Sequence, residues 1–147
     1  MKKFEDKFME VQASMISLAL EYVQNQADKI FIYAIADSLY SFNLFYEIKG
    51  NIVHKHLVND YLPKDSHVDI SLQTALLKEG IKDVEAMIDI CQEYNCEHPT
   101  EMWLIYDAQK NSLDSRYSYE GRYDKEEEVL PRLEFETWVE EVKNKQL

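Results

Sequence analysis

The sequence is poor in residues that break or staple a chain, with three Gly, three Pro and two Cys among 147 residues. So few Gly and Pro leave no linker, low-complexity tract or internal repeat. Two cysteines cannot make a disulfide framework. Cys91 and Cys96, with His98 close behind, also lack the second pair of ligands that a structural zinc site needs. Cys91 reads as core and Cys96 as a free thiol, so neither a disulfide nor a metal or other cofactor is expected. The longest apolar run, residues 30–36, is far short of the ~18 residues of a membrane span. Phe4, Glu5 and Asp6 stand where a signal peptide would carry its apolar core. The expectation is a cytoplasmic protein with no membrane partner.

Catalytic signatures are missing too. There is no Gly-rich phosphate loop, no nucleophile elbow, no His-Glu-x-x-His and no calcium loop. His54 and His56 most invite a catalytic reading, because on a strand they would share one face as an acid/base pair or as two metal ligands. The plainer reading is a solvated pair on an edge strand, and no catalytic residue is assigned. Positive charge is scarce: 16 Lys and Arg face 28 Asp and Glu, for a net charge of −12. Residues 59–107 alone carry 11 acids against 3 bases. Such a field repels nucleic acid and anionic membrane and draws a basic partner.

What is present is apolar residues in clear periods, 46% of the chain, enough for the core of a single domain spanning 1–147. Phe4, Phe8, Val11, Met15 and Tyr22 predict an amphipathic helix. Residues 29–37 predict a central strand, and Phe42, Leu44, Tyr46 and Ile48 a second one. A hairpin turn at Gly50 and Asn51 leads to a third strand over residues 52–58, which carries His54, Lys55 and His56 and is polar enough for an edge. Ser66 or Asp69 then caps a helix with Leu77, Ile81, Val84, Ile88 and Cys91 on its inner face, where Gly80 predicts a kink or break. Glu85, Asp89 and Glu93 line the opposite face at i, i+4, i+8, with Glu97 and Glu101 following. Residues 100–107 predict a covered strand and residues 112–120 an outer one, joined by a turn at 108–111. After a charged segment at 124–128, Pro131 opens a short helix with Phe135, Trp138, Val139 and Val142 on one side. The expected fold is α+β, with a five-stranded, largely antiparallel sheet in the order 3-2-1-4-5 and helices packed mainly on one face.

The whole-chain order is a helix, three strands, a helical segment, then the run from Pro99 through Met102, Trp103 and Tyr106 to Asp107, a turn, and Tyr117-Ser118-Tyr119-Glu120. It resembles the YezG-like family of immunity proteins, or antitoxins, of bacterial polymorphic and contact-dependent toxin systems, over nearly the full length. The resemblance implies a protein that binds the toxic C-terminal domain of a cognate toxin, commonly a nuclease, and that has no catalytic residues of its own. A nuclease presents basic groups to phosphate, so a carboxylate-rich inhibitor suits that role. On this reading Glu85, Asp89, Glu93, Glu97 and Glu101 are the candidate partner-binding residues. A solvated helix face is the plainer account of the same acids. The alternatives are an acidic adaptor for another basic protein, or a small metal- or nucleotide-processing enzyme using His54 and His56.

Overall fold

β1 (Lys29–Ala36) is buried along seven of its eight residues, because a neighbour pairs with each edge and helices cover both faces. The computed structural model describes residues 3–124 and 130–145. The charged segment expected at 124–128 lies, beyond residue 124, outside the described residues. β2 (Tyr40–Ile48) and β4 (Glu101–Asp107) flank β1, while β3 (Asn51–His54) and β5 (Ser112–Ser118) form the edges. The order is β3-β2-β1-β4-β5, and every adjacent pair is antiparallel. This is the α+β fold and strand order that the apolar patterning predicts.

Strand alternation divides the core in two. Ile30, Ile32 and Ala34 face α1 (Phe4–Tyr22) and α2 (Gln73–Glu93), the two long helices. Phe31, Tyr33 and Ile35 face the other way, toward α3 (Pro131–Lys145), which brings Phe135, Trp138 and Val139. The helices thus lie mainly on one face, and α3 alone covers part of the second. Phe31 and Phe45 stack at 4.5 Å between ring centroids, with the Trp138 indole edge-on to both. In the larger core, the buried Tyr46 hydroxyl donates to the Ala19 carbonyl at 2.7 Å, so its burial leaves no unpaired donor.

Four local expectations need correcting. The turn between β2 and β3 consists of Lys49 and Gly50, both at positive φ (51° and 82°), which is type I′ geometry. Asn51 already pairs with Ile48 and belongs to the strand. β3 stops at His54, and Lys55–Asp60 winds into a 3-10 helix that buries Val58 in the larger core. Asp69 caps a 3-10 turn, accepting from the Ser71 amide, and α2 follows from Gln73.

The fourth correction is Gly80, which does not break α2: the helix runs through it from Gln73 to Glu93. The Phe42 ring from β2 lies against it, and a Cβ on residue 80 would stand 2.1 Å from Phe42 Cδ1. The glycine permits close approach of helix and sheet, which outweighs its poor helix propensity. In an exposed helix, Gly→Ala gains about 1 kcal/mol. Here Gly80→Ala is expected to destabilise by about 1–3 kcal/mol, as overpacking does. Urea unfolding checks the sign, and a variant as stable as the wild type would mean that α2 stands off Phe42.

Candidate functional site

α2 turns Leu76, Val84, Met87, Ile88 and Cys91 inward, and that periodicity fixes what it shows to solvent. Glu85, Asp89 and Glu93 are exposed along its outer face, and Glu97 is exposed just past its end. Four of the five predicted acids therefore lie on open surface at one side of the molecule. Glu93 is partly neutralised: Lys7 of α1 donates to it at 2.9 Å, and this hydrogen bond raises the lysine pKa. Glu85 and Asp89 make no ion pair among the described residues. Asp83, on the same helix, faces α1 instead and accepts from Ser14 Oγ at 2.8 Å, with burial pushing its carboxyl pKa up.

Glu101 does not belong with these acids. It follows Glu97 closely in sequence, but α2 ends at Glu93 and the chain has entered the sheet by residue 101. Glu101 opens β4, opposite Ser118, and is 1% exposed on the α3 side of the sheet. Its carboxylate accepts from the Tyr33 hydroxyl and is gripped by the Arg122 guanidinium, through Nε at 2.9 Å and through Nη2 on the other oxygen. Arg122 also reaches Glu134 of α3 at 3.4 Å. The Tyr33 and Tyr123 hydroxyls meet at 2.9 Å, while the Tyr123 amide donates to Asp37 and Ser38 Oγ donates to the Tyr123 carbonyl.

These contacts set the chemistry. Burial, and then the bond to Glu101, push the Tyr33 hydroxyl pKa far above its ordinary value, so it is no proton donor near neutrality. The hydrogen bond with Glu101 raises the Arg122 pKa further and fixes its charge. Both oxygens of Glu101 are engaged by donors, which suits a clamp better than a general base. The clamp ties residues 121–123 to the corner between β1 and β2. Arg122 carried no signal in the sequence, because it is a lone base in a short loop. Its partner could only be found once β4 was placed.

Beside the clamp, α3 covers Phe31 and Phe45 but leaves β4 and β5 open, and a groove of about 460 Å³ remains between them. Trp103 and Ile105 form its floor and Trp138 part of its wall. The Arg116 guanidinium lies 4.4 Å from the centre of the Trp103 ring, a cation–π contact. Lys29, Arg116 and Lys145 outnumber Asp114 and Glu141 around it, so the groove lining carries a small positive excess on an otherwise acidic chain.

The histidine pair does not form as expected. His54 ends β3, with Nε2 held 2.9 Å from Glu136 of α3, whereas His56 sits exposed on the 3-10 helix that replaces the strand. Their rings are 5.6 Å apart, yet they no longer share a strand face. Cys91 is a buried free thiol whose pKa is pushed up to about 12 by burial, and Cys96 is an exposed one. Among the described residues, no group of three or more His, Cys, Asp or Glu side chains is placed to hold a metal ion. No protein-family model matches the sequence, and no curated protein matches it.

Proposed function

We propose that this protein works by stoichiometric binding rather than catalysis, as an immunity protein that neutralises the toxic domain of a cognate bacterial toxin, of the nuclease kind. The observation that carries the reading is the line of outward acids Glu85, Asp89 and Glu93 on α2, continued by Glu97, on a chain with a net charge of −12. The resemblance to the YezG-like immunity proteins supplies the class of partner. The helix beneath these acids packs along its length on the sheet and on α1, so the carboxylates are presented from a rigid base. Lys and Arg side chains that a nuclease aims at phosphate can meet carboxylates in the same way. Such complementarity speeds association more than it deepens affinity.

The test uses the wild type and the double reversal Glu85→Lys, Asp89→Lys, which leaves the Lys7–Glu93 pair in place. Exposed positions of this kind usually change stability by no more than ~0.5 kcal/mol. Association with the cognate toxin domain is expected to slow at least tenfold at low ionic strength, and its salt dependence to flatten. Equal on-rates and equal salt slopes would place the contact elsewhere. A partner that binds yet keeps its own activity would favour the adaptor reading over inhibition.

A further inference from the structure

We propose that β5 is the interface of a two-fold homodimer, in which two copies pair this strand antiparallel about Ser115 and join their sheets into one. This stands apart from the inhibitor reading, since it concerns a different surface and a second copy of the same chain.

The two edges of the sheet are built differently. β3 has four residues and ends where the chain winds into a 3-10 helix, so it offers little backbone to another strand. β5 has seven residues in unbroken register with β4, from Ser112 opposite Asp107 to Ser118 opposite Glu101. It contains no Pro, no Lys and no bulge, three of the devices by which edge strands are kept from pairing, and its two charges, Asp114 and Arg116, are of opposite sign. Five of its seven residues are exposed, and among the described residues it pairs with β4 alone.

The backbone phase shows which groups point outward. Ala36 donates to the Thr100 carbonyl at 2.8 Å, and Ala108 donates to the Asp28 carbonyl at 2.9 Å. The even-numbered residues of β4 therefore turn their amides and carbonyls to β1, and the odd-numbered ones turn theirs to β5. With Trp103 opposite Arg116 and Ile105 opposite Asp114, the even-numbered residues of β5 spend their backbone groups on β4. Leu113, Ser115 and Tyr117 are left with both groups directed away from the sheet.

A second β5, related by a two-fold axis at Ser115, meets those groups in phase. Ser115 pairs with its own copy and Leu113 with Tyr117, and these are the hydrogen-bonded pairs of an antiparallel ladder, giving about six bonds. Side chains match on both faces. On the α3 face, Asp114 of each copy falls opposite Arg116 of the other, an opposite-charge pair at each end of the seam. Arg116 remains free to make it, because Trp103 occupies the face of its guanidinium and leaves the edge open. On the other face, Leu113 meets Tyr117, which is 36% exposed and braced from behind by Phe8 and Gln12. A strand that reads Leu-Asp-Ser-Arg-Tyr is complementary to itself when reversed.

The experiment is sedimentation equilibrium at physiological salt, where the repulsion between two acidic chains is screened beyond ~8 Å. The wild type is expected to associate as a dimer over micromolar concentrations. Asp114→Arg places Arg opposite Arg, and Arg116→Asp places Asp opposite Asp, so each variant alone should self-associate at least about tenfold more weakly. Mixed in equal amounts, they restore both opposite-charge pairs and should form a heterodimer. Ser115→Pro, which removes an amide that β4 does not use, should be monomeric with an unchanged circular dichroism spectrum. A wild type that is monomeric throughout overturns the proposal. So does a mixture of the two charge variants that stays monomeric, or a Ser115→Pro protein that still dimerises.

Discussion

Arg122→Ala is expected to lower the unfolding free energy by about 3–5 kcal/mol, the usual result of removing one partner from a buried ion pair. The loss arises at Glu101 rather than at the arginine. Glu101 is 1% exposed, and without the guanidinium its carboxylate would keep the Tyr33 hydroxyl as its remaining donor. Arg122→Lys should recover only part of the stability, because an ammonium cannot make the two-pronged contact. Arg122→Met combined with Glu101→Gln should cost less than Arg122→Ala, since no uncompensated charge remains. Urea midpoints of the three proteins give the comparison, and an Arg122→Ala protein within 1 kcal/mol of wild type, as ~1 kcal/mol marks an exposed pair, would show that the clamp is solvated.

Trp138→Ala should cost a similar amount, about 3–5 kcal/mol, through a different mechanism. The indole is 7% exposed and sits edge-on to Phe31 and Phe45, at 5.8 Å and 5.1 Å between centroids. Truncation leaves a cavity beneath α3 that Phe135 and Val139 cannot fill without moving the helix. Trp103 is the remaining tryptophan, on the groove floor, so its fluorescence reports whether the floor is disturbed as well. A melting temperature unchanged by the substitution would mean that α3 contributes nothing to the fold.

The strands were legible because their patterns admit one placement. Residues 30–36 are apolar on both faces and had to be central. The alternation of Asp114 and Arg116 with Leu113 and Tyr117 had to be near an edge, so the strand order followed. Local reasoning failed where a residue answers to something distant in sequence. Gly80 looked like a helix breaker because Phe42, the reason for it, lies on β2. His56 looked like a strand residue because nothing in its neighbours announces that Val58 will turn inward on a 3-10 helix. Of the candidate site, the line Glu85, Asp89, Glu93 could be read from helical period alone. Glu101 joins that line only as a neighbour in sequence, and its partners Tyr33 and Arg122 lie too far along the chain to be read from it.

The strand order also governs how the sheet can assemble. β1, β2 and β3 are joined by consecutive hairpins and β4 and β5 by another, so three of the four ladders close short loops. The β1–β4 ladder alone joins strands that are distant in sequence, with α2 in the interval. Closing so long a loop costs more entropy than closing any one hairpin, while local hairpins form in microseconds. Pairing of β1 with β4 is therefore the step expected to limit folding. Substitutions at Ile32 or Leu104, opposite each other there, should slow folding, whereas changes at the Lys49-Gly50 turn should act chiefly on the β2–β3 hairpin.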